Sequence, residues 1–158
     1  LKDNYLMFSG FIFFGLLVTE EGCHLLEYNM RAGDPETQVL LELLDNDLIE
    51  VIEDCIDGKE IDLKFKDEKA VCLVLASGGY PGHYETGYEI TGLEKVQQSD
   101  VSLSGAVNKA GKYFSAGGRV LNLIATGKTF DEARAKVYAD ALSVKFDYAF
   151  YRNDIAKF

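Results

Sequence analysis

Three polar side chains alternate along one short stretch of the chain, and their types could bind a metal ion and an anion. Glu27, Asn29 and Arg31 follow an apolar run at every second position. Because successive side chains of a β-strand point to opposite faces, this spacing predicts all three on one face of a strand. A carboxylate and an amide supply oxygen ligands of the kind that Mg²⁺ takes, and an arginine can bind a phosphate or carboxylate through two hydrogen bonds. The stretch therefore predicts a nucleotide–metal site.

A helix start follows this stretch. Asp34 and Pro35 favour it, since aspartate accepts backbone N–H bonds at the N-cap and proline suits the first helical position. We expect a helix from Pro35 to about Leu44, whose N-terminal partial positive charge would favour an anion. A plainer interpretation explains the same residues: the alternating side chains form the solvated face of an edge strand, and Asp34 only caps the helix. Spacing alone leaves both interpretations open.

A β-hairpin is expected to present these residues. The apolar and aromatic run 11–18 predicts a buried strand, 19–22 a turn in which Gly22 can take a positive φ, and 24–30 the returning strand. Beyond the first helix, a second is expected from Asp47 to about Ile56.

The pattern of the sequence changes near residue 60, from helix-like segments to strand-like segments separated by glycines. We expect strands at 61–65, 70–76, 87–91, 101–107, 112–115 and 119–125. A T-x-x-E capping box at Thr129 and Glu132 predicts one late helix ending near Val144. The sequence therefore predicts an α+β chain with a boundary between 1–60 and 61–158.

Two glycine-rich segments invite a phosphate-loop interpretation, SGGYPG at 77–82 and GGR at 117–119. Neither has the spacing of a Walker or dinucleotide-binding loop, so we favour tight turns between strands. Four nearby aromatic residues are expected to pack rather than to stack on a ligand: Tyr80, Tyr84, Tyr88 and Tyr113.

Composition excludes several classes of function. The 158 residues carry a formal net charge of −10, which argues against non-specific nucleic-acid binding. Three cysteines without C-x-x-C spacing indicate reduced thiols in a cytosolic protein, and two histidines offer little for a zinc site. The apolar stretch near the N-terminus is too short to span a membrane.

Longer segments resemble one enzyme family. The spacing E-x-N-x-R at a strand end is similar to the last metal-binding strand of ATP-grasp ligases, and EYNMRAGDPETQ at 27–38 resembles, more narrowly, the glycinamide ribonucleotide synthetases. Three further segments match that family in order: FIFFGLLVTEEG at 11–22, AVCLVLASGGYPGHYETG at 70–87 and SAGGRVLNLIATGKTFDEAR at 115–134. The resemblance covers nearly the whole chain.

The resemblance implies a fold in two parts. Residues 1–60 would end an ATP-grasp domain of antiparallel strands and helices. Residues 61–158 would form a small, mostly β C-terminal domain with one helix, of the barrel-sandwich or rudiment-hybrid type. In the family an N-terminal portion holds the purine pocket, so we expect this chain to be part of a ligase and inactive alone.

The resemblance also implies a reaction. A cytoplasmic ligase of purine biosynthesis would use ATP to join glycine to 5-phosphoribosylamine through a glycyl phosphate, giving glycinamide ribonucleotide, ADP and phosphate. Glu27 and Asn29 would hold Mg²⁺ or Mn²⁺, Arg31 would act in catalysis and substrate binding, and Asp34 and Arg119 would contact substrate. No nucleic-acid or membrane partner is expected.

Two departures and two alternatives accompany this interpretation. The family usually has a bulky residue at Ala32, and many ATP-grasp enzymes have an acid where this chain has 14–16, FGL. The alternatives are another ATP-grasp carboxylate–amine ligase, or a non-catalytic α+β module that keeps the motif as a scaffold.

Overall fold

The computed structural model describes residues 8–158, and within this range antiparallel sheets combine with three α-helices. The predicted mixture of helices and antiparallel strands is confirmed. The chain divides into two compact units. One comprises the described residues up to Thr37 together with Leu44–Lys66, and the other comprises Gln38–Leu43 and Asp67–Phe158.

The first unit begins with the predicted hairpin. Strand β1, Phe13–Thr19, pairs antiparallel with β2, Gly22–Asn29, and the register runs from Phe13 opposite Asn29 to Thr19 opposite Gly22. Gly22 has a φ of 127° at the end of the turn. The Thr19 hydroxyl accepts from the Glu21 N–H at 3.2 Å and so fixes the turn from inside.

The hairpin is not buried, which corrects the sequence-based expectation. Val18 is 78% exposed and Leu26 is 66% exposed. The apolar run continues through consecutive residues of β1, so this strand contributes apolar side chains to both faces of a two-stranded sheet. A two-stranded sheet cannot bury its own faces, which need another layer packed against them.

Helix α1, Glu36–Leu43, starts one residue later than predicted. The Thr37 N–H donates to the Gly33 carbonyl at 3.1 Å, and the Asp34–Pro35 peptide bond is cis. Asp34 therefore lies two residues before the first helical residue rather than beside it.

Helix α2, Leu48–Ile56, follows the sequence prediction closely. One carboxylate oxygen of Asp47 accepts from the Ile49 N–H at 2.7 Å and the Glu50 N–H at 3.3 Å, so Asp47 is the N-cap. The helix buries Val51 but leaves Ile49 exposed.

The strand predicted at 61–65 is wrong. Only an isolated bridge joins Phe65 to Leu44 there. The Asn46 side chain donates to the Asp62 carbonyl at 3.1 Å and accepts from the Lys64 N–H at 2.6 Å. The Asn46 side chain therefore binds backbone groups of this segment that would otherwise pair with a neighbouring strand.

Residues Asp67–Phe158 of the second unit form two sheets and one α-helix. Its four-stranded sheet has the order β5-β8-β3-β9, with β3 Lys69–Ser77, β5 Asp100–Leu103, β8 Arg119–Gly127 and β9 Ala149–Phe150. Its three-stranded sheet has the order β4-β7-β6, with β4 Glu89–Ile90, β6 Ala106–Lys109 and β7 Lys112–Ser115. The helix is α3, Phe130–Ala141.

The core lies between the central strands β3 and β8 and helix α3. Leu73 and Leu123 are opposite each other in the register and are fully buried, and Val137 of α3 is fully buried in the same cluster. Thr129 is the N-cap of α3, since its hydroxyl accepts from the Glu132 N–H at 3.2 Å. The predicted Thr129 cap is confirmed, and the Glu132 carboxylate accepts from the N–H of Lys128, one residue before the cap, at 2.9 Å. The helix ends at Ala141, three residues short of the predicted end.

One predicted strand proves to be two. The segment 101–107 divides into β5 and β6, because the chain turns at Ser104 and Gly105. In residues 8–158, no helix is both long and apolar enough to cross a membrane.

Candidate functional site

Strand β2 brings Glu27 and Asn29 together on one face. The amide nitrogen Nδ2 of Asn29 donates to Oε1 of Glu27 at 3.3 Å. Residues two apart on a paired strand share a face, so the hairpin pairing dictates this proximity. The bond orients the carboxylate and the amide toward one another and holds two oxygen-bearing groups at a single point of the surface.

The strand opposite leaves room for the Glu27 side chain. Gly15 faces Glu27 across the hairpin, and a Cβ added at Gly15 would lie 3.2 Å from Cγ of Glu27. Any side chain at this position would press on the Glu27 stem. At position 15, the limited space beside the Glu27 stem is consistent with a glycine rather than an acid.

The donor set at this point suits a hard divalent cation. One carboxylate and one amide are oxygen ligands, and Mg²⁺ commonly takes one or two protein ligands while water and phosphate oxygens fill the rest of its shell. Across residues 8–158 no cluster of three or more His, Cys, Asp or Glu side chains could hold a metal ion by itself. A cation at Glu27 and Asn29 would take much of the rest of its shell from water and phosphate oxygens.

Arg31 lies beyond the last residue of β2, so the strand pairing that places Glu27 and Asn29 on one face does not extend to it. Strand β2 ends at Asn29, where its last pairing is with Phe13, and Arg31 lies in the following bend. Its guanidinium nitrogen Nη1 donates to the carbonyl of Ala32 at 2.9 Å. The strand ends where its partner ends, and sequence alternation could not reveal this limit.

Asp34 lies in the loop between β2 and α1. The first turn of α1 carries Glu36, whose negative charge already occupies the electropositive helix end. This helix end is therefore less favourable for a second anion than the sequence indicated.

Arg119 belongs to the second unit and is the first residue of β8, opposite Ala76 of β3. The two glycine-rich segments lie against each other beside it. Ser77 donates its N–H to the Gly118 carbonyl at 2.8 Å and its hydroxyl to the Gly117 carbonyl at 2.9 Å. The predicted interpretation of these segments as tight turns is confirmed, since Gly79 has a φ of 98° and its carbonyl accepts the Gly82 N–H at 2.8 Å.

The tyrosines near these turns contact one another and the core. The rings of Tyr80 and Tyr84 meet edge to face at 6.0 Å, and Tyr88 and Tyr113 pack against the core cluster. The Tyr88 hydroxyl donates to Oε2 of Glu85 at 2.8 Å. This hydrogen bond, together with burial, raises the pKa of Tyr88 to about 12. Packing is the observed role of these rings, as the sequence predicted.

Sequence reasoning missed two residues that hold the turn before Arg119. Ser77 is one, and nothing in its sequence context distinguishes it from any strand-ending serine. Gly105 is the other: its N–H donates to the Arg119 carbonyl at 2.8 Å. The dipeptide Ser104–Gly105 is a turn signal that could have divided the predicted strand 101–107 and drawn attention to Gly105.

Comparison with known proteins identifies relatives of both units. Residues 70–158 match the family described as phosphoribosylglycinamide synthetase, C domain. Over 99% of its length, the chain is 43% identical to a phosphoribosylamine–glycine ligase of Caldanaerobacter subterraneus and 45% identical to that of Clostridium acetobutylicum. The chain spans 38% of the length of each of these relatives.

Solved structures give a similar result. The crystal structure of phosphoribosylamine–glycine ligase from Thermotoga maritima superposes with a TM-score of 0.80 at 36% sequence identity, covering 91% of this chain and 36% of that one. The biotin carboxylase subunit of pyruvate carboxylase superposes with a TM-score of 0.54 at 17% identity, covering 86% of this chain and 32% of that one, which is a likeness of fold alone.

Proposed function

This chain belongs to the phosphoribosylglycinamide synthetase family, and we propose that it is the C-terminal portion of a phosphoribosylamine–glycine ligase. The complete enzyme uses ATP to convert the glycine carboxylate into an acyl phosphate, which the amine of 5-phosphoribosylamine then attacks. The products are glycinamide ribonucleotide, ADP and phosphate. The observation that carries this proposal is the identity of 43% to a named ligase over 99% of the chain.

The exposed hairpin supports the proposal that this is one portion of a larger enzyme. Apolar side chains of β1 and β2, among them Val18 and Leu26, are exposed in the described chain. We propose that residues 1–60 complete an ATP-grasp domain whose preceding part covers these apolar side chains, and that 61–158 form the family's small, mostly β C-terminal domain, of the barrel-sandwich or rudiment-hybrid type. The match of residues 70–158 to the C domain of the family supports the second of these domains. Three free cysteines support a cytoplasmic location.

Glu27 and Asn29 are the proposed ligands of Mg²⁺ or Mn²⁺. A divalent cation held there would neutralise charge on the phosphate oxygens of ATP. The Asn29 amide keeps the Glu27 carboxylate in one orientation through their 3.3 Å hydrogen bond. Gly15 leaves the space in which the Glu27 stem lies. The two side chains are thus positioned before any ligand arrives, which reduces the entropy cost of binding.

Arg31 is the proposed catalytic cation. Its guanidinium would bind the transferred phosphoryl group or the glycine carboxylate through two hydrogen bonds. To do so it exchanges its single charge-assisted bond to the Ala32 carbonyl for the substrate, at a cost of about 1.5–3 kcal/mol. A bidentate contact with an anion makes two charge-assisted bonds in place of one, so the exchange is favourable.

Asp34 and Arg119 are the proposed substrate contacts. The carboxylate of Asp34 suits the amine or ribose hydroxyls of 5-phosphoribosylamine. Arg119 suits an anionic group of a substrate.

The experiment is ADP formation by the full-length ligase, measured with glycine and freshly made 5-phosphoribosylamine and with each omitted in turn. We expect activity only when both are present, and a loss of about 10²-fold or more in Glu27→Gln, since a metal ligand supports several kcal/mol of charge stabilisation. The matched control is Glu21→Gln, an exposed carboxylate in the turn of the same hairpin. Equal activity of Glu27→Gln and Glu21→Gln would contradict the metal assignment. ADP formation that needs neither glycine nor the ribosylamine would contradict the ligase.

A further inference from the structure

The turn that precedes Arg119 is held from one side by Ser77. Its N–H and its hydroxyl each donate to a carbonyl of that turn, at Gly118 and Gly117, over 2.8 and 2.9 Å. Ser77 is only 3% exposed. Because water does not compete at a buried pair, removing one partner leaves a polar group unsatisfied, which makes both bonds firm constraints on the backbone.

The ring of Tyr80 lies directly on the same turn. A Cβ added at Gly118 would lie 2.1 Å from Cδ2 and 2.6 Å from Cε2 of Tyr80. The ring therefore occupies the space that any side chain at Gly118 would need. Tyr84 meets the Tyr80 ring edge to face, so the ring is supported from behind.

Gly105 holds the turn from the other side. Its N–H donates to the Arg119 carbonyl at 2.8 Å, and its carbonyl accepts the Ala116 N–H at 2.7 Å. A Cβ at Gly105 would lie 2.6 Å from the Arg119 carbonyl oxygen. The backbone from Ala116 to Arg119, at the start of β8, is thus held by the two hydrogen bonds of Gly105 on one side and the two of Ser77 on the other.

We infer that Ser77 and Tyr80 are positioning residues for Arg119, and through it for the phosphate of 5-phosphoribosylamine, which rests on the substrate role proposed for Arg119. Among the proposed substrates, the metal ligands act on the ATP phosphates, and Arg31 acts on the transferred phosphoryl group or the glycine carboxylate. The ribose phosphate remains, and the planar fork of an arginine binds a phosphate monoester through two hydrogen bonds. Because the backbone that carries Arg119 is already fixed, this segment need not be ordered when the ligand binds. Small displacements of a binding group also weaken its contact with the ligand steeply.

The test is calorimetric binding of ribose 5-phosphate, a stable probe that carries the same phosphate, to the full-length ligase. We expect Arg119→Ala to weaken binding about 10- to 100-fold, as for loss of a charge-assisted contact. Ser77→Ala and Tyr80→Leu should each weaken it about 3- to 10-fold, the equivalent of one neutral hydrogen bond. Tyr80→Phe keeps the ring and should bind as the wild type does. ADP binding, measured in parallel, should be the same in all five proteins.

The outcomes separate this inference from the function on which it rests. Unchanged binding in Arg119→Ala would overturn the substrate role of Arg119 itself. Weakened binding in Arg119→Ala with wild-type binding in both Ser77→Ala and Tyr80→Leu would overturn the positioning role alone. Equal loss of ribose 5-phosphate and ADP binding in Ser77→Ala and Tyr80→Leu would also overturn it, because that pattern reports damage to the fold.

Discussion

Gly79 offers a sharp test of how tightly the turn at 77–82 is built, through the substitution Gly79→Ala. Gly79 has a φ of 98°, which L-residues rarely adopt, and a Cβ there would lie 2.1 Å from the carbonyl oxygen of His83. The left-handed backbone costs an alanine about 1–2 kcal/mol. Forcing an atom against backbone adds about 1–3 kcal/mol, as in an overpacked core. We therefore expect Gly79→Ala to lower the free energy of unfolding by about 2–5 kcal/mol.

Gly87 supplies the matched control for this prediction. Its φ is 94°, but a Cβ there would have no atom within 4 Å. Gly87→Ala therefore carries the backbone strain without the collision, and we expect it to cost about 1–2 kcal/mol. Both substitutions reduce the entropy of the unfolded chain equally, so that contribution cancels in the comparison.

The assay is urea unfolding of the 158-residue chain, followed by circular dichroism, with the two variants measured beside the wild type. The difference between them isolates the collision with His83 and should be about 1–3 kcal/mol. If Gly79→Ala proves no less stable than Gly87→Ala, the close approach of the Gly79 and His83 backbones would be refuted, and with it the tight turn.

Two further predictions concern charged groups of the second unit. Asp140 is 5% exposed, and its carboxylate accepts from the N–H groups of Gln97 and Gln98, the latter at 2.8 Å. Asp140→Ala should therefore lower the free energy of unfolding by about 2–4 kcal/mol, measured in urea. A cost typical of an exposed site would show that these bonds do not hold the loop at Gln97 and Gln98 in place. Glu85→Gln should lower the pKa of Tyr88 from about 12 toward 10, followed by NMR of the Tyr88 ring. Because the folded pKa is raised, the bond to Glu85 stabilises the fold below about pH 10 and is lost as pH rises through about 12; an unchanged pKa in the variant would rule out Glu85 as its cause.

Features set by local chemistry were predictable from the sequence. Thr129 caps its helix as expected, and Asp47, where the second helix was expected to begin, caps that helix. A cap depends only on a side chain and the backbone two or three residues ahead. The hairpin turn ending at Gly22 was predictable for the same reason. The pairing of Glu27 with Asn29 follows from the two-residue period of a strand, once the strand is assigned.

Features set by distant partners were not predictable. Strand β2 ends before Arg31 because β1 supplies no pairing partner beyond Phe13. The segment 61–65 does not form a strand because the Asn46 side chain, 16 to 18 residues earlier, binds the Asp62 carbonyl and the Lys64 N–H. The clamp of Ser77 on the turn before Arg119 joins residues 40 apart, and no local pattern encodes such a contact.

The most direct test of the central claim is the fate of glycine itself. The full-length ligase, given ATP, freshly made 5-phosphoribosylamine and glycine labelled with ¹³C at its carboxyl carbon, should convert that carboxylate into the amide of glycinamide ribonucleotide, seen by NMR and by mass spectrometry. One ADP should form for each amide, and Glu27→Gln should form neither. ATP consumption by the folded enzyme that leaves the labelled carbon as a carboxylate would contradict the account.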